Sequence, residues 1–253
     1  MNVIEAKSLG KHYRGTWALR ECTLAIPAGH VAALVGPNGA GKTTLLNLAV
    51  GLAAPSAGAV TVLGGRTAGS RAALDGIAFV AQDTPVYQNL SAKDLLHLTR
   101  NLNRDFDLGY ARGRLGELGI PLKRKAGKLS GGQQAQLALT LALGRRPRLL
   151  VLDEPLANLD PVARHDFMAT VMTAVAADGV SVLLSSHVLA ELERVADYLI
   201  LLSRGQVQMA GKAGDLLARH RMGGLEELAL AYLRGPGVTA LSVENDETLE
   251  VAK

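Results

Sequence analysis

A glycine-rich segment between an apolar strand and a helix constrains this chain more than any other feature. Val31–Val35 is a continuous apolar run, which is typical of a strand buried on both faces. It leads directly into Gly36–Thr43, whose sequence GPNGAGKT satisfies G-x-x-x-x-G-K-[ST]. Lys42–Val50 then has the pattern of a helix. The order strand, glycine loop, helix predicts an α/β fold with a phosphate-binding loop.

The residue types in this loop suit phosphate chemistry. Its glycines let backbone N–H groups turn inward to form an anion nest, and the helix N-terminus adds partial positive charge. We expect Lys42 to reach the β- and γ-phosphates and the Thr43 hydroxyl to ligate magnesium. The predicted nucleotide-binding residues are Gly36, Asn38, Gly39, Ala40, Gly41, Lys42, Thr43 and, beside the α-phosphate, Thr44, with ATP and Mg²⁺ as cofactors.

Composition limits the size class, the partners and the covalent cross-links that this chain can have. With 253 residues, 48% apolar and 20% charged, the chain suits one substantial core at the size where a domain begins to divide into subdomains. A net charge of +4 is mild, and the local basic clusters at 123–125 and 145–148 are interpreted as solvated surface, so we expect no nucleic-acid partner. The single cysteine, Cys22, excludes an internal disulfide and lies in an apolar run that predicts burial.

One uncharged stretch is nominally long enough to cross a bilayer. Thr43–Gly65 has no charged residue over 23 positions. Gly51, Pro55 and Gly58 interrupt it, however, so helix, turn and strand are predicted there instead. Asn2–Gly10 carries charges and no apolar segment of signal-peptide type. We therefore expect a soluble, cytoplasmic chain whose membrane role, if any, comes through a partner.

Two adjacent carboxylates follow a second buried strand. Leu149–Leu152 is apolar, and Asp153 and Glu154 come directly after it. A carboxylate at the end of such a strand is costly without a charge partner, and magnesium is the natural partner for Asp153. Glu154 is expected to point away from Asp153, towards an attacking water. A metal ligand beside a general base fits ATP hydrolysis.

A third motif begins another helix. Ser130 is a good N-cap, and Gln133 occupies the capping-box position. The simplest interpretation is a capped helix, but Gly131 and Gly132 in its first turn cost about 1 kcal/mol each against Ala. Close approach of the backbone to a phosphate would justify that cost.

In this order, GPNGAGKT, LSGGQ and LLVLDEP resemble the nucleotide-binding domain of ATP-binding-cassette (ABC) proteins, specifically the ATP-binding subunits of transporters, from about residue 3 to 211. The resemblance implies a P-loop NTPase (RecA-like) core with an N-terminal antiparallel β subdomain and an inserted α-helical subdomain. Helical spacing between Gln82 and Pro147 supports the insertion. We expect a core formed by residues 1–82 and 147–211, a helical subdomain at 83–146 and a C-terminal extension at 212–253.

The resemblance also assigns roles outside the three motifs. Tyr13 matches the aromatic residue that stacks on adenine, with Trp17 as its rival. Gln82 matches the glutamine that senses magnesium and water and hinges the helical subdomain. Asp160 belongs to the loop that crosses the dimer interface, and His187 matches the histidine that hydrogen-bonds the γ-phosphate.

The positions after LSGGQ depart from the family pattern. Relatives often carry basic residues where this chain has Gln134 and Gln136. We expect this difference to alter surface charge rather than chemistry.

In the family, the signature residues of one chain close on the ATP held by the phosphate loop of another. The resemblance therefore implies a head-to-tail pair in which Ser130, Gly131, Gly132 and Gln133 face the partner's nucleotide. We expect a homodimer that ATP binding closes and hydrolysis by Glu154 opens. Separate integral-membrane permease subunits are expected to dock near Asp83–Leu98.

The leading hypothesis is the ATPase subunit of an exporter at the cytoplasmic face of the cell membrane. The Leu225–Leu233 helix and the compact insertion look like bacterial export ATPases for drugs, antibiotics or lipids. An importer ATPase and a cassette that drives signalling without transport are alternatives. A soluble ABC ATPase acting on ribosomes or DNA is a further one, but a single cassette with one Cys and no long coiled-coil insertion counts against it.

Overall fold

Two β-sheets organise the part of the chain that the computed structural model describes, which comprises residues 1–82, 86–186 and 192–234, with the backbone alone at Arg234. The strands are β1 (Asn2–Tyr13), β2 (Thr16–Pro27), β3 (Val31–Val35), β4 (Ala57–Val62), β5 (Arg66–Thr67), β6 (Ile77–Val80), β7 (Leu149–Leu152), β8 (Ser181–Ser186), β9 (Tyr198–Ser203) and β10 (Gln206–Lys212). The helices are α1 (Lys42–Ala49), α2 (Arg71–Leu74), α3 (Ala92–Leu102), α4 (Leu108–Glu117), α5 (Gly131–Leu143), α6 (Pro161–Asp178), α7 (Ala213–His220) and α8 (Leu225–Arg234), with a 3₁₀ turn at Ala126–Lys128.

The smaller sheet is antiparallel and has the order β2-β1-β4-β5. Its first two strands extend well beyond the predicted ranges Val3–Leu9 and Glu21–Ile26. Backbone pairing continues through the polar, exposed residues as far as Tyr13 and Thr16, because ladder hydrogen bonds need no apolar side chain. Hydrophobic patterning therefore identified only the half-buried part of the hairpin.

The larger sheet has the order β10-β9-β3-β8-β7-β6. Its pairs from β9 to β6 are parallel, and β10 adds to β9 as an antiparallel edge. Successive side chains of β3 alternate between two apolar clusters: Ala33 and Val35 face α5 and α6, whereas Ala32 and Leu34 face α1 and the antiparallel sheet. Both faces are covered, as expected for a parallel sheet. This arrangement confirms the predicted α/β P-loop fold with its N-terminal β layer.

In the described part of the chain between β6 and β7, the regular elements are helices, and an isolated β-bridge joins Ser91 to Lys125. Helices α3 and α4, the 3₁₀ turn and the face of α5 that carries Leu137 share an apolar cluster of their own, built around Leu96, Phe106 and Leu115. A different face of α5, with Ala135, Leu139 and Leu143, joins the main core instead. Helix α5 therefore packs in both apolar clusters.

The uncharged stretch Thr43–Gly65 folds as predicted, mainly into α1, a turn and β4. Within the described ranges, no helix combines the length and apolarity that crossing a membrane requires.

Cys22 is buried as predicted, with its Sγ 3.2 Å from the carbonyl oxygen of Gly205. This burial raises the pKa of the thiol.

The last described helices pack onto the main core. Leu216 of α7 and Leu225 and Leu228 of α8 are buried in the same cluster as β3 and β8. A carboxylate oxygen of Glu193 accepts a hydrogen bond from the Leu225 N–H at 2.6 Å. The negative charge at a helix start fixes where α8 begins.

Candidate nucleotide-binding and hydrolysis site

The loop Gly36–Thr43 connects β3 to α1 at the carboxyl edge of the parallel sheet. Gly39 and Gly41 have φ values of +79° and +104°, a region that L side chains rarely adopt. A Cβ on Gly36 would lie 2.1 Å from the backbone oxygen of Leu202, so no larger residue fits there. The glycines thus allow a tight turn that leads directly into α1, with Gly41 as its N-cap.

Lys42 is turned back into this loop. Its Nζ donates a hydrogen bond to the Gly36 carbonyl at 2.8 Å and lies 3.3 Å from Oε1 of Glu154. Both side chains are less than one tenth exposed, at 7% and 9%. The structure therefore brings together the residue expected to bind phosphate and the residue expected to act as base, although 112 positions separate them. Among the other loop residues, Ala40 is buried, Gly41 and Thr44 are half-buried, and Asn38, Gly39 and Thr43 are exposed.

The two carboxylates follow β7 in a sharp turn. Asp153 is 2% exposed, and Glu154 has a positive φ of 47°. Ser185, near the end of the neighbouring strand β8, donates to Oδ1 of Asp153 at 2.7 Å and accepts from the Glu154 N–H at 2.8 Å. One buried hydroxyl thus holds both acidic residues in place.

Ser185 was missed from the sequence. The available signal is a pair of polar residues, Ser185 and Ser186, at the end of an otherwise apolar strand. Its meaning depends on strand order, because β7 and β8 are parallel neighbours with Leu152 opposite Leu184. That register puts the residue after Leu184 beside Asp153.

The residues expected to hold magnesium offer oxygen donors. Thr43 supplies a hydroxyl, Gln82 an amide oxygen and Asp153 a carboxylate, and Ser185 occupies only Oδ1 of the last. Across the described residues, no group of three or more His, Cys, Asp or Glu side chains could hold a metal ion. Mg²⁺ needs no such group, since one or two carboxylates suffice when phosphates and water complete its shell. The donor set fits this ion. Gln82 itself is exposed and lies two residues after β6.

Tyr13 and Trp17 lie at the hairpin of β1 and β2. Tyr13 is 47% exposed, with the Lys11 ammonium 5.0 Å from its ring centroid. Trp17 packs over Gly10, where an added Cβ would meet its ring at 2.9 Å, and its ring contacts that of His12 edge-on. Trp17 is almost as exposed, at 45%, but its ring packs on the sheet surface.

The signature helix α5 begins with the predicted capping box. Ser130 accepts from the Gln133 N–H at 3.2 Å, and the Gln133 side chain accepts from the Ser130 N–H at 3.2 Å. Gly131 lies open, with nothing nearer than 3.9 Å to a Cβ built on it. At Gly132, however, an added Cβ would lie 2.9 Å from Cβ of Ala163 in α6. Helix packing within the chain thus gives Gly132 a reason that the sequence did not show.

Asp160 is the N-cap of α6. Its Oδ1 accepts hydrogen bonds from the Val162 and Ala163 N–H groups at 3.0 and 2.9 Å. Since Ala163 also contacts Gly132, the first turns of α5 and α6 are neighbours. His187, by contrast, lies outside the described residues.

The expectation that Gln134 and Gln136 affect only surface charge is wrong for Gln136. This side chain is 6% exposed, because it lies on the face of α5 that packs against α6. Gln134 is half-buried and donates to the Leu129 carbonyl at 3.1 Å.

Comparison with known proteins agrees with this geometry. Residues 19–157 match the family model described as "ABC transporter". The chain belongs to the ABC transporter family. It is the ATP-binding subunit of such a transporter, and subunits of this family bind and hydrolyse ATP.

Relatives of this ABC subunit have both transport directions in their names. The phosphonates import ATP-binding protein PhnC of Thiobacillus denitrificans is 33% identical over 92% of this chain and 100% of its own length. The Nod factor export ATP-binding protein I of Rhizobium johnstonii is 32% identical over 85% of this chain and 70% of its own. The exporter-like subgroup expected from the sequence is therefore not confirmed.

Solved ABC cassettes share the fold. An ATP-binding subunit of an ABC transporter superposes with a TM-score of 0.80 at 28% identity, covering 90% of this chain and 98% of that one. A dimeric, post-hydrolysis ATP-binding cassette bound to ADP and Pi gives 0.73 at 25% identity, covering 83% and 98%.

Proposed function

We propose that this chain hydrolyses ATP at a site shared between two copies and thereby drives separate membrane subunits. The buried pair of Lys42 and Glu154 carries the proposal, because it joins the phosphate loop to the carboxylate turn at 3.3 Å. In the proposed reaction, Lys42 binds the β- and γ-phosphates, while Glu154 orients the attacking water and accepts its proton. Ser185 keeps the backbone of this base in place through its hydrogen bond from Glu154 N–H.

The remaining nucleotide contacts follow the same assignment. Thr43, Gln82 and Asp153 would hold Mg²⁺, which neutralises phosphate charge when bound. Tyr13 is the proposed adenine platform, because the family resemblance implies it and because the ring of Trp17, at a similar exposure, packs over Gly10 of the sheet. His187 is proposed to hydrogen-bond the γ-phosphate, as the family resemblance implies.

The second half of each site is proposed to come from another copy of this chain. Ser130 and Gly131 are exposed at the N-terminus of α5, where N–H groups and the helix dipole favour an anion. Asp160 starts the adjacent helix and is exposed as well. Head-to-tail pairing would place these two helix starts against the partner's ATP, and the dimeric relative supports such pairing.

An apolar groove supports the proposed membrane partner. A cavity of about 400 Å³ lies between β6 and the helices α3 and α5. Its lining includes Leu52, Phe79, Val86 and Leu141, and Leu52 is 69% exposed. We propose that residues 83–146 form a helical subdomain on the core 1–82 and 147–211, followed by the extension 212–253. The permease would then dock between core and helical subdomain from the cytoplasmic face of the membrane.

For the direction of transport we propose export. The short helical extension α7–α8, which packs onto the core, supports this choice together with the compact helical insertion. Reconstitution with the cognate permease in inside-out vesicles tests it. ATP-dependent accumulation of substrate inside those vesicles is expected, and ATP-dependent release from preloaded vesicles would contradict export.

The composite site is tested with Glu154→Gln protein. Light scattering coupled to gel filtration, with and without ATP and magnesium, should show a dimer only when both are present. Lys42→Ala/Glu154→Gln is the control and should remain monomeric. A Glu154→Gln protein that binds ATP and stays monomeric would rule out the homodimer.

A further inference from the structure

A buried polar joint connects three helices away from the phosphate loop. The Arg114 guanidinium of α4 donates to the Thr170 hydroxyl of α6. That hydroxyl lies 3.3 Å from Oε1 of Gln136 in α5 and donates to the Asp166 carbonyl at 2.9 Å. Gln136 and Thr170 are 6% and 3% exposed. One hydroxyl therefore links the helical insertion, the signature helix and the helix that follows the carboxylate turn.

The joint lies on the same helix faces as the signature contact. Gln136 follows Gly132 by four residues, and Thr170 follows Ala163 by seven, so each pair shares a face of its helix. Gly132 and Ala163 form the tight contact between the first turns of α5 and α6. The Arg114 joint thus lies one to two helical turns further along the same interface.

An ion pair holds Arg114 in this joint, but two buried donors of the joint lack acceptors in the part of the chain that the structure describes. Arg114 pairs with Glu117 of its own helix at 3.1 Å, which holds its guanidinium over the gap. Among the described residues, the buried donors Arg114 Nε and Gln136 Nε2 have no hydrogen-bond acceptor. Buried donors without acceptors disfavour an arrangement. If these positions served packing alone, apolar side chains would give a more stable protein.

We infer that Arg114 is a positioning residue that sets how the signature turn, Ser130–Gly132, lies relative to the start of α6. Arg114 touches neither Lys42 nor Glu154 and acts through Thr170 and Gln136. Its loss should therefore leave the phosphate-loop half of the site intact and impair the half that is offered to a partner. This inference rests on the proposed composite site.

The test uses the full-length chain in the Glu154→Gln background, with added Arg114→Met, Arg114→Lys or Thr170→Val. For each variant, ATP-driven dimerisation is measured by light scattering and ADP binding to the monomer by calorimetry. Arg114→Met and Thr170→Val should each raise the dimer dissociation constant about tenfold while ADP affinity stays within about twofold. Arg114→Lys, which keeps a donor for Thr170, should recover most of the loss. Arg112→Met is the matched control, because Arg112 is exposed on the same helix, and it should change neither quantity.

A double-mutant cycle tests whether Arg114 and Thr170 act through one contact, and ADP binding to the monomer separates positioning from a general loss of stability. If both residues act through one joint, Arg114→Met/Thr170→Val should be no worse than either single variant. Unchanged dimerisation of Arg114→Met in a background that dimerises would overturn the inference, and so would a fall in ADP affinity that parallels the dimer defect. A parent Glu154→Gln protein that fails to dimerise would refute the proposed composite site instead, which distinguishes the two failures.

Discussion

The Lys42 ammonium lies 3.3 Å from a carboxylate oxygen of Glu154, and both side chains are almost fully buried. Lys42 also donates to the Gly36 carbonyl at 2.8 Å. Phosphate must therefore compete with Glu154 for the same cation. The carboxylate proposed to activate the attacking water therefore also pairs with the phosphate-binding lysine in this arrangement.

This competition predicts an effect of Glu154→Gln on binding as well as on rate. The variant removes a negative charge beside Lys42, so a non-hydrolysable ATP analogue should bind the monomer about fivefold more tightly. The rate constant kcat should fall about 10²–10⁴-fold, because the general base is lost. Calorimetry and a phosphate-release assay measure the two effects. Glu5→Gln serves as control, since Glu5 pairs with Lys7 on the surface, and it should change neither. Unchanged analogue affinity in Glu154→Gln would show that the pair does not oppose binding.

Replacing Lys42 should destabilise the protein as well as abolish nucleotide binding. Lys42→Met keeps most of the apolar stem but leaves the buried Glu154 carboxylate without the ammonium group. Breaking such a buried pair costs about 3 kcal/mol in the free energy of unfolding. Lys42→Met/Glu154→Gln should recover part of that loss, because the remaining buried charge is also removed. Urea unfolding of the three proteins checks this, and equal stability of single and double variants would contradict it.

Ser185→Ala should weaken the carboxylate turn. The hydroxyl bonds both Oδ1 of Asp153 and the N–H of Glu154, and its removal leaves buried polar groups unsatisfied, at a cost of about 1–3 kcal/mol. We also expect lower kcat and a higher magnesium requirement, measured by titrating Mg²⁺ in the ATPase assay. Ser181→Ala is the matched control: it removes a buried hydroxyl that bonds Gly29 N–H at the other end of β8. A similar loss of stability with normal ATPase activity is expected there. If Ser185→Ala behaved in the same way, the role of Ser185 would be limited to stability.

The sequence predicted those parts of the fold that depend on short-range pattern. Strand β7 was predicted at its observed limits, Leu149–Leu152, because a fully apolar run bounded by polar residues leaves little choice. The hairpin strands β1 and β2 were predicted too short, because their ends are held by backbone pairing. The Lys42–Glu154 contact and the role of Ser185 depend on strand order, which no local pattern encodes. The burial of Gln136 likewise depends on which face of α5 meets α6.

The contact between Gly132 and Ala163 gives a reversible test of how the signature turn is positioned. Gly132→Ala would place its Cβ 2.9 Å from that of Ala163, and neither group can rotate away, so α5 must shift against α6. We expect ATP-driven dimerisation of the Glu154→Gln protein to weaken about tenfold, while ADP binding to the monomer is unchanged. Ala163→Gly removes the opposing methyl group, so Gly132→Ala/Ala163→Gly should recover dimerisation. The recovery should occur although Ala163→Gly costs about 1 kcal/mol in helix stability. If the double variant dimerised as poorly as Gly132→Ala, the glycine would be required for approach to the partner's phosphate, because relieving the clash with α6 would then have no effect.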